Sequence, residues 1–261
     1  MNDISIIFYT ANQIPEFFAE NVREQILKAT KCMIPIISVS QKPLEFGDNI
    51  CIGDVGPSIL GIYRQVLIGA KEAKTDYVVL CEDDILYHES HFNSYRPPND
   101  AFGYNHNKWE IFTWERDVVL STKTGRSLLN QCIAPRELLI EALEERFSKT
   151  YTEDRIRKHF GEFGKYERWL GVTIRKQEIF YSREPNIIFC HGDALGYQYL
   201  GSRKGHGDIR VKEIPLWGTA EEIIVKYFGE DNWKKQQRRS GYGVTGDIYK
   251  NLFEERKEVS L

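Results

Sequence analysis

The sequence predicts an α/β fold, a mainly parallel sheet with helices on both faces. Three observations carry that prediction. Apolar runs of strand length (Ile4 to Tyr9, Ile34 to Val39, Tyr77 to Cys81) are separated by two segments of helical period within residues 4–84. Strand–helix–strand–helix–strand in that order predicts right-handed crossovers in a parallel sheet. The third run stops abruptly at Glu82-Asp83-Asp84, and the carboxyl ends of strands are where open α/β sheets bind ligands.

Taken in order, Ile4 to Tyr9 reads as a buried first strand. Pro15 opens a helix to about Thr30, with Phe18, Val22 and Ile26 on one face. Ile34 to Val39 is a second strand whose Pro35 sits near its start, where proline is tolerated. Residues 40–58 read as loop, with Gly47, Gly53, Gly56 and Pro57. Ser58 is a candidate N-cap for a helix turning Ile59, Tyr63, Val66, Leu67, Ala70 and Ala73 inward. After Pro97-Pro98, Trp109 to Trp114 and Val118 to Thr122 read as strands paired around Glu115-Arg116-Asp117. Pro135 starts a helix through Phe147, and a charged segment over 153–165 leads to a helix near 166–176. In that helix Tyr166, Trp169, Leu170 and Ile174 form one face. Strands are expected near 178–182 and 186–190, the second ending at His191-Gly192-Asp193. The C-terminal part is helical, and Thr219 to Glu222 matches a capping box.

Three adjacent carboxylates repel one another and are costly to desolvate without a compensating cation. Mg²⁺ or Mn²⁺ supplies that compensation, because hard cations prefer carboxylate oxygens and keep positions open for phosphate oxygens. The competing reading is an acidic turn facing solvent. A net charge of −3 gives no bulk electrostatic case for nucleic acid. Local basic stretches occur at Arg203, Lys204, Arg210 and Lys212, and at Lys234, Lys235, Arg238 and Arg239. The five cysteines are odd in number and scattered, which reads as buried free thiols in a reducing compartment. With no leader-like start and no run near the ~20 apolar residues of a spanning helix, the expected location is the cytoplasm, away from membranes. The Gly-rich dinucleotide and P-loop fingerprints are both missing.

These features in order resemble a GT-A fold glycosyltransferase of the family-2-like kind. The resemblance rests on the polar turn Thr10/Asn12 after the first strand and on Arg64-Gln65-x-x-x-Gly69-x-x-x-Ala73 in the helix. Thr75 to Val79 and the closing Glu82-Asp83-Asp84 complete it. Such helices often read R-N-x-G-x-x-x-A, so Gln65 is a departure and the glycine is displaced. The similarity covers residues 4–92 and extends loosely to His191. It implies one GT-A domain over 1–261, with a nucleotide-sugar-binding half (1–95) and an acceptor-binding half with C-terminal helices (96–261). The N-terminal half also resembles glycosyltransferases of environmental bacteriophages, some of which decorate modified DNA bases.

The resemblance implies a metal-dependent, inverting transfer of a sugar, a hexose in the first instance, from a nucleoside-diphosphate sugar such as a UDP-sugar to a hydroxyl. The acidic motif falls on Glu82-Asp83-Asp84. Asp84 would hold the Mn²⁺ or Mg²⁺ bridging the donor's phosphates, Glu82 would meet the ribose or the metal through water, and Asp83 would orient the turn. The third metal ligand would be His191 or, as its rival, His206. Arg203 and Lys204 would lie in a loop over the diphosphate. Thr10, Asn12, Asp54 and Arg64 are further donor-binding candidates, each also readable as a cap or turn residue. The general base would be Glu167, or alternatively Glu162. Trp109, Trp114, Tyr197 and Tyr199 offer stacking surface or simply core.

The acceptor reads two ways. The phage resemblance implies the hydroxyl of a 5-hydroxymethylpyrimidine in DNA within a host cytoplasm, with Lys234, Lys235, Arg238 and Arg239 meeting phosphates. A saccharide or lipid-linked acceptor is the alternative. A sugar nucleotidyltransferase would want a glycine and a cation after the first strand, and Thr10-Ala11-Asn12-Gln13 has neither. A binder of polyanions would gain nothing from three carboxylates in its cleft.

Overall fold

Strand β1 (Ile4–Thr10) is buried along its whole length, as its apolar run requires. This is a computed structural model, and it describes residues 3–193 and 207–239. α1 (Glu16–Thr30) begins after Pro15 and stops where Lys31 turns left-handed. β2 (Ile36–Ser40) and β3 (Asp48–Cys51) follow, the latter a short strand inside the segment expected to be loop. α2 (Ile59–Glu72) is capped by Ser58, whose hydroxyl accepts the Gly61 amide at 2.9 Å. β4 (Tyr77–Glu82) carries the acidic triplet at its end, and β5 (Ile85–Leu86) leads away from it.

The rest of the chain adds α3 (Glu89–Asn93), β6 (Ala101–Asn105), β7 (Lys108–Phe112), β8 (Leu120–Thr122), β9 (Cys132–Pro135) and α4 (Arg136–Phe147). Then come α5 (Glu153–His159), α6 (Glu167–Leu170), β10 (Lys176–Phe180) and β11 (Asn186–Cys190). After residue 207 follow β12 (Ile209–Val211), β13 (Glu213–Ile214), β14 (Gly218–Thr219), α7 (Ala220–Ile223), a π turn over Ile224–Phe228, and α8 (Glu230–Arg239). The expected capping box is present. The Thr219 hydroxyl accepts the Glu222 amide at 3.2 Å, and the Glu222 carboxylate accepts the Thr219 amide at 2.9 Å.

A seven-stranded sheet runs in the order β10-β6-β9-β4-β1-β2-β3. It is parallel except where β9 pairs with β4 and β6. Strands from both halves of the chain therefore share one sheet. β1 lies between β2 and β4, with Tyr9 opposite both Val39 and Glu82. The crossover through α1 runs from β1 outward to β2, and the one through α2 returns from β3 past β2 and β1 to β4, so the crevice at the carboxyl ends of β1 and β4 is a topological switch point. A second sheet, β12-β8-β7-β11-β5, pairs β11 in parallel with β7 and antiparallel with β5.

Alternation along the strands sorts the core into two layers. Ile4, Ile6, Phe8, Val79 and Cys81 face the cluster holding Phe18, Val22 and Ile26 of α1. Ile7, Tyr9, Val78 and Leu80 face Tyr63, Val66 and Ala70 of α2 and Leu139 and Leu143 of α4. Burial of each such large apolar side chain is worth roughly 1.5–3 kcal/mol, and the helices cover both faces as expected. Gly69 explains how closely α2 can lie, since a Cβ there would stand 2.5 Å from Ile7 Cγ2.

Three expectations are corrected. The helix near 166–176 is the single turn α6, because Gly171 adopts φ 67° and ends it. Of its expected apolar face, Trp169 and Ile174 are exposed and Leu170 is buried. Part of the charged stretch over 153–165 is α5, capped by Thr152. Cys81, Cys132 and Cys190 are buried free thiols, but Cys32 and Cys51 are exposed.

Candidate active site

At the carboxyl ends of β1 and β4 the structure opens a cavity of about 350 Å³. The turn after β1 supplies one edge. Asn12 shapes that turn in the left-handed region at φ 53°, its carboxamide oxygen accepting the amides of Gln41 (2.9 Å) and Lys42 (3.0 Å). Gln65, buried on α2, donates to the carbonyls of Thr10 and Val39, each at 2.8 Å, and so ties the ends of β1 and β2 together. Thr10 then lines the cavity with its hydroxyl bonded to Asp83.

The triplet forms the floor. Glu82 accepts from the Asn130 carboxamide at 2.5 Å. Burial, then the Asp84 charge, push Glu82 up to about 8, and the Asn130 bond only partly offsets them. The same two causes push Asp83 up to about 6 against the Thr10 bond. A carboxylate cluster that resists ionising when alone is a cluster that a cation would stabilise.

His191 reaches the triplet through the second sheet. β5 leaves Asp84 and pairs with β11, and the Phe189 amide donates to the Asp84 carbonyl at 3.0 Å. Two residues on, His191 Nε2 stands 3.6 Å from Asp84 Oδ2, with the imidazole almost fully buried. Phe18 and Phe228 pack around the ring. Asp84 Oδ1 and His191 Nδ1 are buried and have no hydrogen-bond partner among the described residues. Among the described residues no three His, Cys, Asp or Glu groups already surround one point. The donor set nevertheless suits a hard divalent ion that draws its remaining ligands from phosphate and water. Asp193 also lines the cavity, and Gln236 of α8 holds its turn by bonds to the Gly192 amide (2.9 Å) and the Asp193 carboxylate (2.8 Å).

The wall opposite comes from α2 and the segment after α5, with Tyr63, Phe160, Gly161 and Glu162. Glu162 makes no hydrogen bond or ion pair among the described residues. Glu167 does not line the cavity. Its carboxylate is buried against Arg146 at 2.8 Å and accepts the Gly164 amide at 2.7 Å.

The structure thus brings together Thr10, Glu82, Asp83, Asp84, His191 and Glu162, and leaves Asn12, Asp54, Arg64 and Glu167 outside the lining. Asp54 accepts the Gly56 amide at 3.2 Å in an exposed turn. Arg64 is exposed on α2, with its guanidinium 5.7 Å from the Phe147 ring centre. Arg203, Lys204 and His206, with Tyr197 and Tyr199, lie outside the described residues. Trp114 lines the cavity, whereas Trp109 packs against the core. Asn130, Gln236 and Asp193 carry no local signal in the sequence, since each matters through partners 43 to 48 residues away.

No protein-family model matches the chain, and no curated protein sequence matches it. Solved structures do. A glycosyltransferase involved in glycosylation of the major capsid of PBCV-1 is similar at a TM-score of 0.43 and 10% identity, over 72% of this chain and 93% of that one. The CMP:2-keto-3-deoxy-manno-octonic acid synthetase complexed with CTP is similar at 0.41 and 10%, over 69% and 91%. S. aureus TarS 1-349 in complex with UDP is similar at 0.38 and 8%, over 73% and 61%. Likenesses at this level assign no activity to this chain.

Proposed function

We propose that this chain transfers a sugar from a nucleoside-diphosphate sugar to a hydroxyl group, with a divalent cation and with inversion at the anomeric carbon. One observation carries the reading. Asp84, His191 and Glu162 line one cavity at the switch point of a mainly parallel sheet, and among the described residues Asp84 Oδ1, His191 Nδ1 and the Glu162 carboxylate have no hydrogen-bond partner. Its volume, about 350 Å³, falls in the range of small-molecule sites.

Asp84 and His191 would hold Mn²⁺ or Mg²⁺, which when bound neutralises charge growing on the departing nucleoside diphosphate. Thr10 and Asp83 fix the edge against which the donor lies. Glu162 takes the proton of the acceptor hydroxyl as its oxygen bonds to the anomeric carbon. The bond from that carbon to the diphosphate oxygen breaks in the same step, and its electron pair leaves with the nucleoside diphosphate.

For the acceptor we read a 5-hydroxymethylpyrimidine in DNA. Its support is α8, which anchors the Gly192–Asp193 turn through Gln236 and exposes Lys234 and Lys235, two and one residues before that anchor. Lys234 also pairs with Glu230 at 2.5 Å. No helix among the described residues is long and apolar enough to cross a membrane.

The test incubates the full chain with a panel of sugar nucleotides, UDP-sugars first, and Mn²⁺ or Mg²⁺. Acceptors are hydroxymethylated and plain duplexes and simple saccharides. Chelator-sensitive release of nucleoside diphosphate with sugar on the duplex is the expected result. Sugar on a saccharide alone would replace the DNA acceptor. Release of pyrophosphate from a nucleoside triphosphate and a sugar phosphate would replace transfer with nucleotidyl chemistry.

A further inference from the structure

We propose that Arg146 and Glu167 form a positioning pair that fixes the 160–167 segment so that Glu162 faces the cavity, an inference that rests on the transfer reading for what Glu162 does there. Arg146 is fully buried and Glu167 nearly so. A buried ion pair is weak support for stability, since apolar residues of like size do as well or better. What this pair does is geometric.

One arm of the Arg146 fork donates to the Gly161 carbonyl at 2.7 Å, and the other to Glu167 Oε1 at 2.8 Å. The same Glu167 oxygen accepts the Gly164 amide at 2.7 Å. The segment is therefore pinned one residue before Glu162 and two residues after it. Phe163 lies under the guanidinium, 4.3 Å from its ring centre, and stacks on Phe102. With its neighbours held and its own carboxylate unpaired among the described residues, Glu162 is left to the cavity. A planar two-armed donor is needed to reach both anchors at once, which Arg provides and Lys does not.

The test compares full-length Arg146→Lys, Glu167→Gln and Glu162→Gln. In the first two, amide exchange within 160–167 should rise about tenfold or more while α2 and β4 keep wild-type protection. Transfer kcat should fall about 10–100-fold with the KM for sugar nucleotide unchanged, as displacement of a reacting group does. The acidic limb of the kcat–pH profile, lost in Glu162→Gln, should survive in both. Loss of that limb in Glu167→Gln would make Glu167 the base itself and overturn the proposal. Wild-type exchange and wild-type kcat in both variants would overturn it too. Should Glu167→Gln fail to fold, Arg146→Lys decides by the same readouts. If wild-type protein turns over no sugar nucleotide, the transfer reading fails instead, and exchange still decides whether the pair fixes the segment.

Discussion

Replacing Gly69 by Ala tests how α2 seats the cavity edge. The added Cβ would stand 2.5 Å from Ile7 Cγ2 and 3.4 Å from Val39 Cγ2. Ile7 and Val39 are themselves buried in the layer under α2. Interiors this dense do not yield locally, so the helix must lift by about 1 Å to restore ordinary contact. Over-packing of that kind costs about 1–3 kcal/mol, against which Ala returns about 1 kcal/mol of helix propensity. Lifting α2 also stretches the two Gln65 bonds, now 2.8 Å each, to the Thr10 and Val39 carbonyls. A net loss of about 1–2 kcal/mol follows, or a Tm lower by about 2–8 °C in a chain of this size. Because Thr10 carries the bond to Asp83, affinity for a nucleoside diphosphate should drop as well. Urea unfolding with an unchanged slope is the assay. A variant as stable as wild type, with Gln65 still bonded, would show that α2 does not rest on β1 through this glycine.

Asp84→Asn should abolish transfer while the fold persists, because it removes the charge that faces His191; near wild-type turnover with unaltered metal dependence would refute the metal assignment. Glu162→Gln should leave donor binding intact and slow transfer by ~10²–10⁴-fold, the usual worth of a general base; unchanged single-turnover rates would remove it from that role. His91 is buried with Nε2 unpartnered among the described residues, and burial holds its imidazole down at about 3. Unfolded chains protonate near 6.5, so below that pH the unfolded state binds the extra proton and stability falls as pH drops towards 3, with no effect above 6.5. Wild type should lose about 2–3 kcal/mol to this group between pH ~7 and pH ~4.5, and His91→Gln should lack that slope; parallel urea midpoints for the two proteins would contradict the assignment. Alanine at Lys234 and Lys235 should weaken duplex binding alike for all sequences and flatten its salt dependence by roughly one log-log unit for each phosphate no longer neutralised; an unchanged slope would detach α8 from DNA.

Much of the fold is legible because its signals are local. The apolar runs of β1 and β4, the spacing of Phe18, Val22 and Ile26, and the Ser58 cap each lie within one turn or one strand of the residues they organise. The acidic triplet is legible for the same reason, since an abrupt change from apolar to charged marks a strand end. Glu167 shows where this stops. It opens a helix, as a base in such an enzyme would, but its carboxylate is bound by Arg146, 21 residues earlier, which no periodicity connects to it. Glu162, Asn130 and Gln236 reach the site through tertiary contacts alone. Likewise α6 reads as longer from sequence because Trp169 and Ile174 fit a helical face, whereas the left-handed turn at Gly171 decides its length.

The central claim is that the acidic end of β4 and His191 hold a cation together with a diphosphate. Calorimetric titration of the full chain with a nucleoside diphosphate, with and without Mn²⁺, tests it most directly. Wild type should bind tightly only when the metal is present, and Asp84→Asn should lose about tenfold or more of that metal-linked affinity, an effect of about 1.4 kcal/mol. Equal affinity with and without metal, in wild type and in Asp84→Asn alike, would contradict the account.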